Sequence, residues 1–150
     1  MKFHCMTLSF KVEEIRGTIN LTPQIEEIVK ESGIRYGHGI IQVKHSTFAL
    51  ISQEDEEGLL KKDLPKLLDH LVPEGMGCFH DDLSQRPNID PAERRNGRAH
   101  LEHLVIGHDS KPFIVNNFEI NFGHWLRVLL IDFDPIGREP REVEISVMGE

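Results

Sequence analysis

"HWLRVLLIDFD", residues 124–134, is the stretch on which the fold turns. It is an apolar run broken only by Arg127 and Asp132 before Asp134, and it reads as a long apolar strand. The closing "REVEISVMGE" alternates Val143, Ile145 and Val147 against Glu142, Glu144 and Ser146, a second strand with one apolar face. The other end of the chain alternates too. His4, Met6, Leu8, Phe10 and Val12 share one face, and Phe3, Cys5, Thr7, Ser9 and Lys11 share the other.

Between these ends lie helix signals. In "LTPQIEEIVKESG", Thr22 reads as the N-cap, Pro23 as the first helical residue and Gly33 as the C-terminal cap. "GHGIIQVKHSTFALIS" reads as a buried strand through Val43 that delivers His45, Ser46 and Thr47 at its end. From Glu54 to Val72, Leu60, Leu64, Leu67, Leu68 and Leu71 form one apolar helical stripe, with Pro65 as a kink or the start of a second helix. Residues 73–97, with Pro73, Pro87 and Pro91 and three glycines, read as a long loop. "KPFIVNNFEINFGHW" reads as a hairpin turning at Asn116 and Asn117. The sum is a single α+β domain: mainly antiparallel β-sheets with two or three helices on one side.

A chain of 150 residues can bury roughly two thirds of the surface it exposes when unfolded. Hydrophobic residues at 39% and charged residues at 28% fit an ordinary globular protein, and no apolar run reaches membrane-span length. With no signal-peptide block, a cytoplasmic location is the expectation. Cys5 and Cys78 read as ordinary thiols. A formal charge of -8 argues against sequence-independent nucleic-acid binding, which needs many phosphate-neutralising cations. Locally the sign reverses: Arg86, Arg94, Arg95 and Arg98, then Arg127, Arg138 and Arg141, allow a confined pocket for a small anion.

Nine histidines are many for this length. His45 ends a strand, His80 sits beside Asp81 and Asp82 in "FHDD", and His100 and His103 stand three apart in "NGRAHLEHL". Imidazole both ligates metals and moves protons near neutral pH, so a convergent group suits either task. A carboxylate of Asp81 or Asp82 can ligate or orient a histidine. Ser46 and Thr47 can cradle a phosphate oxygen or satisfy local backbone, and Ser46 is badly placed to be a nucleophile served by its own neighbour. No linear catalytic motif is present.

"VKHSTFAL", "LLDHLVP" with "FHDD", "ERRNGRAHLEHLVIG", "FGHWLRVLLIDFD" and "REVEISVMGE" together resemble the YjbQ-type family, also called secondary thiamine-phosphate synthases, over nearly the whole chain. The resemblance implies a compact α+β domain, a homotrimer, and a histidine-rich pocket holding a divalent ion, Zn, Mg or Mn, on His45, His80 and His100. It aligns a His-Thr-Thr-like motif with His45, Ser46 and Thr47, and a His-Asn-Glu-like motif with His80, Asp81 and Asp82. Asn96 and His100 match an Asn-x-His-x-His stretch, but Arg98 replaces its first histidine. Gly123 and Trp125 match a Gly-x-Trp-Gln motif, with Leu126 where glutamine is usual.

A guanidinium cannot ligate a cation, so Arg98 is expected to contact a substrate phosphate instead. His45, His80, Asp81, Asp82 and His100 are thus the expected catalytic group, and Ser46, Thr47, Asn96, Arg98 and Trp125 the expected substrate contacts. The implied reaction joins a hydroxymethylpyrimidine diphosphate to a thiazole phosphate with release of pyrophosphate. The alternatives are a metal-dependent hydrolase of a small phosphorylated metabolite and a noncatalytic trimeric metabolite- or metal-binding protein. None of these readings involves nucleic acid or a membrane.

Overall fold

A computed structural model describes residues 1–90 and 92–150, so Pro91 of the expected loop lies outside the described residues. β7 (Leu126–Asp132) is the middle strand of a three-stranded antiparallel sheet, between β2 (Gly17–Asn20) and β4 (Phe48–Glu54). From Val128 onward every residue of β7 is buried, because both edges are paired and both faces are packed. That explains why its apolar run does not alternate. β8 (Arg141–Gly149) does alternate, since one face of its sheet meets the core. It belongs to a five-stranded antiparallel sheet, in the order β1 (Lys2–Phe10), β8, β3 (Tyr36–Val43), β5 (Ser110–Asn116), β6 (Glu119–Ile120).

The period of two sends β4 and β7 into two cores. Phe48, Leu50, Val128 and Leu130 face the five-stranded sheet and pack with Ile41, Val43, Val143, Ile145 and Val147. Ala49, Ile51, Leu129 and Ile131 face the other way, toward Leu68 of α2 (Leu64–Leu71) and Ala99 of α3 (Gly97–Ile106). The layers are therefore sheet, sheet, helices. α1 (Thr22–Ser32) places Ile25, Ile28 and Val29 in the first core and touches both sheets, while α2 and α3 share the outer side of the smaller one.

Several local expectations shift. Thr22 is the first helical residue of α1, not its cap. The Asn20 side chain accepts the Thr22 N–H at 3.0 Å, which frees the Thr22 hydroxyl to accept the Val128 N–H at 2.9 Å and tie α1 to β7. Gly33 does close the helix in the left-handed conformation, φ 59°. The strand through Val43 is buried on one face only, with Ile40 exposed on the other. After it the chain changes sheets at residues 44–47, and "FALIS" starts the separate strand β4. Ahead of Pro65, Leu59–Asp63 form a π-helical turn that runs straight into α2. The hairpin turns at Asn117 and Phe118, both at positive φ, one residue later than the asparagine pair suggests. Arg35 draws it there, accepting the Phe118 N–H on its carbonyl at 3.1 Å and donating its Nε–H to Asn117 at 3.3 Å.

The two sheets are also joined by charge. Arg141 of β8 pairs with Asp132 of β7 through Nε at 2.8 Å and Nη2 at 3.1 Å. Both side chains are almost wholly buried. Nη2 also reaches the Asp134 carbonyl at 2.7 Å and the Thr47 hydroxyl at 3.3 Å. Replacing Arg141 by Leu strands a buried carboxylate and is expected to cost about 3–5 kcal/mol of stability by chemical denaturation. The double replacement Asp132→Leu with Arg141→Met should recover a large part of that loss, and a single-variant cost under about 1 kcal/mol would contradict the pair's structural role.

Candidate functional site

Three segments meet beside that ion pair. The first is the corner between β3 and β4, Lys44 to Thr47, pinned where the Phe133 N–H reaches the Thr47 carbonyl at 2.9 Å. The second is the N-terminal turn of α3. The third runs from the end of β7 to the start of β8 and contributes Arg138 and Arg141. Together with Glu93 they enclose a cavity of about 320 Å³ whose wall is almost entirely polar, with Ser46, Asn96 and His100 facing it.

α3 is started by a group from outside the helix. Asn96 at its N-cap makes no side-chain cap, and the Gly97 N–H instead donates to Asp81 Oδ1 at 2.8 Å. A side chain at 97 would collide with Cys78, whose Cβ lies 2.5 Å from where a Gly97 Cβ would stand, so glycine lets residues 78–81 close on the helix. The same Asp81 oxygen lies 3.1 Å from His80 Nδ1. This contact places the His80 proton on Nδ1 and leaves Nε2 facing Glu93, 3.8 Å away. His80 stacks on His100 with ring centroids 4.6 Å apart. Burial and then the neighbouring His80 push the His100 pKa below the ordinary 6.5.

Asp134 is the hub on the other side. It accepts from Asn96 Nδ2 at 2.8 Å, from Arg138 Nε at 3.0 Å and from Arg138 Nη2, and pairs with Arg94 at 3.2 Å. Burial alone would raise its carboxyl, but the Arg138 and Asn96 hydrogen bonds outweigh that and hold it below the usual carboxylate range. Arg138 and Arg141 spend Nε and Nη2 on Asp134, Asp132 and Thr47, and no bond to a described residue occupies either Nη1. His45 Nε2 accepts the Glu142 backbone N–H at 3.1 Å, and burial, then Arg141, lower its pKa.

Of the residues singled out from sequence, His45, Ser46, Thr47, Asn96 and His100 line this cavity, and His80 and Asp81 adjoin it through the ring stack and the helix start. The rest lie elsewhere. Asp82 is exposed and accepts from Ser84 at 2.5 Å. Arg98 turns away from the imidazoles toward Asp69 at 2.6 Å, Glu102 at 3.1 Å and the Val72 carbonyl at 3.1 Å. Arg16 joins that group with two bonds to the buried Glu102 at 2.7 and 3.1 Å. Trp125 is exposed, edge-on to His124. His103 packs edge-on against Phe133, 3.3 Å from Asp109. Both cysteines are free.

A larger cleft of about 920 Å³ lies beyond Asn96 and Asp134, lined by Arg16, Arg98 and Glu102, but those charges saturate one another. Glu93, Asp132 and Asp134 are site groups that the sequence reading missed. A signal for the last two was there: two carboxylates closing a fully apolar strand in "LLIDFD" need buried partners.

The three histidines expected to hold a divalent ion do not stand together as a ligand set among the described residues. His45 has its Nε2 lone pair committed, and among the described residues no group of three His, Cys, Asp or Glu side chains is placed to hold an ion.

Residues 6–150 match the UPF0047 protein YjbQ-like family. The chain belongs to the YjbQ family. Among YjbQ relatives, a UPF0047 protein of Archaeoglobus fulgidus is 31% identical over 95% of this chain and all of its own, and YugU of Bacillus subtilis is 27% identical over 95% of this chain and 98% of its own. A solved YbjQ-like protein of unknown function from Sulfolobus solfataricus superposes with a TM-score of 0.83 at 25% identity over 99% of both chains. A hypothetical protein from Aeropyrum pernix does so at 0.77 and 26% identity over the whole of both.

Because His45 and His100 both titrate below 6.5 when folded, the unfolded chain binds more protons in the range just beneath that value. Their contribution to stability is full above pH 6.5 and is lost as pH falls through the lowered folded values. Unfolding free energy measured by denaturant is expected to drop between pH 7 and pH 5, with a shallower drop in His100→Asn. An equal slope in that variant would remove His100 as a cause.

Proposed function

We propose that this protein is a transferase of the secondary thiamine-phosphate synthase type, working on small phosphorylated metabolites in the cavity beside Arg141. The observation that carries the reading is the convergence in one cavity of Arg138 and Arg141, the strand-corner hydroxyls of Ser46 and Thr47, and His100, with the His80 ring lying against it from outside. The named reaction comes from the resemblance of the motifs that carry His45, His80, His100 and Arg141 to those of secondary thiamine-phosphate synthases.

In this reading the Nη1 groups of Arg138 and Arg141 and the Ser46 hydroxyl hold phosphate oxygens. Asp132 and Asp134 neutralise much of the arginine charge and fix the forks in place, so the geometry of the donors selects the ligand more than net charge does. The thiazole nitrogen attacks the methylene carbon of the pyrimidine. The bond from that carbon to the diphosphate oxygen breaks, and pyrophosphate leaves with the electron pair. His100, neutral at pH 7, offers an N–H to the leaving oxygen, and His80, hydrogen-bonded to Asp81, lies against the His100 ring and holds it in place. The homotrimer belongs to the same proposal. It is supported by the outer face of the five-stranded sheet, where Phe3, Met148, His38 and Ile114 stand in one register row and Phe3, Ile114 and Met148 are exposed.

Purified protein given both phosphorylated precursors, with and without added divalent cation, is expected to release pyrophosphate, and His100→Ala to lower turnover on the order of a hundredfold or more. No turnover under either condition would overturn the transferase in favour of a metabolite-binding protein. Light scattering at the 17.2 kDa of a single chain would overturn the trimer.

A further inference from the structure

We propose that His45 serves the cavity as a fixed hydrogen-bond donor, its one proton held on Nδ1 for an anionic oxygen of the ligand, and acts neither as a base nor as a metal ligand. This rests on the reading of the cavity as a phosphate site.

The argument begins in the sheet. β8 is paired on both sides along most of its length, but its ladder with β3 ends at Val43↔Val143. One residue further, Glu142 still has its β1 neighbour Ser9, while β3 has already left for the other sheet. The Glu142 N–H is taken by His45 Nε2 at 3.1 Å, so an imidazole nitrogen replaces the carbonyl that a longer β3 would have supplied.

A backbone N–H can only donate. Nε2 must therefore present its lone pair, and a neutral imidazole then carries its proton on Nδ1. Imidazolium would have a proton on both nitrogens and would lose the bond. Burial and the Arg141 guanidinium favour the neutral ring as well.

With Nε2 committed, His45 has no free lone pair. A base needs one, and so does a ligand to a cation. What remains is the Nδ1–H, for which no described residue is recorded as acceptor, on a side chain that lines the cavity with Ser46 and Arg138. A donor held by a sheet N–H costs little to orient when a ligand arrives, and His45 shares the cavity wall with the other donors, Ser46, Arg138 and Arg141.

Two measurements on the full-length protein test this. Long-range ¹H–¹⁵N correlation spectra at pH 7 are expected to show His45 with a protonated Nδ1 and a bare Nε2. The opposite tautomer, or an imidazolium, would overturn the assignment whatever the cavity binds. Titration with inorganic pyrophosphate then compares the natural protein, His45→Ala and His45→Gln. Glutamine can accept the Glu142 N–H through its carbonyl and donate through its amide.

Alanine is expected to weaken binding about tenfold or more, the worth of one hydrogen bond to a charged group, and glutamine to recover most of that. An equal loss in both variants, with melting temperatures matching the natural protein, overturns the donor role. Zn²⁺ titration completes the set: an affinity cut by His45→Gln as deeply as by His80→Ala would make His45 a ligand and overturn the proposal. The natural protein binding no pyrophosphate, with Nδ1 protonated, would instead bring down the phosphate reading of the cavity and with it the donor's purpose. A wrong tautomer with pyrophosphate binding intact would bring down only the role of His45.

Discussion

The buried pair between Arg141 and Asp132 is the constraint around which the rest is arranged. Each charge sits at the end of a strand in a different sheet, and each would be costly without the other. Placing them together fixes the separation of the sheets at one end of the sandwich. It also draws in the Thr47 hydroxyl and the Asp134 carbonyl, so the crossing from β3 to β4 and the exit from β7 are held at one point. Apolar packing sets that the two sheets meet, and this charge pair sets how their ends align.

The cavity follows from that alignment. With both chain reversals tied to the pair, their side chains converge, and α3 brings the remaining wall. Asn96 and His100 arrive at the start of a helix whose first N–H is satisfied by Asp81, the same carboxylate that orients His80. A single oxygen thus links the position of a helix to the tautomer of an imidazole. Asp134 does the matching work opposite, holding Asn96 and two arginines at once.

Membership of the YjbQ family brings the fold, and the structure shows how this chain accommodates its departures. Arg98, where the resemblance leads one to expect a histidine, does not enter the cavity. It joins Arg16, Glu102 and Asp69 in a charge network that braces the connection after β1 against α2 and α3. Glu102 is 2% exposed, so its carboxylate needs the guanidiniums that surround it. Arg98 has thus become part of the scaffold beside the site. Trp125 and Asp82 likewise stand in solvent, where neither reaches the imidazoles.

What the sequence alone determined is what its local periodicities encode. The long apolar run of β7, the alternation of β1 and β8, the glycine that ends α1 and the corner carrying His45 to Thr47 were legible because a strand buried on two faces, a strand buried on one and a left-handed cap each leave a pattern within a few residues. Everything that depends on partners distant in sequence was decided by tertiary structure. The hairpin turn moved by one residue because Arg35 binds it, and Thr22 left its capping role because β7 offered an unpaired N–H. Glu93 reached the site from an irregular segment with no periodicity to mark it. His45, apparently free at a strand end, lost its lone pair to an N–H almost a hundred residues away, because only the folded sheet places Glu142 where β3 ends. Hydrogen bonds and ion pairs are specified by distance in space, and a periodicity carries no information about which distant group will be waiting.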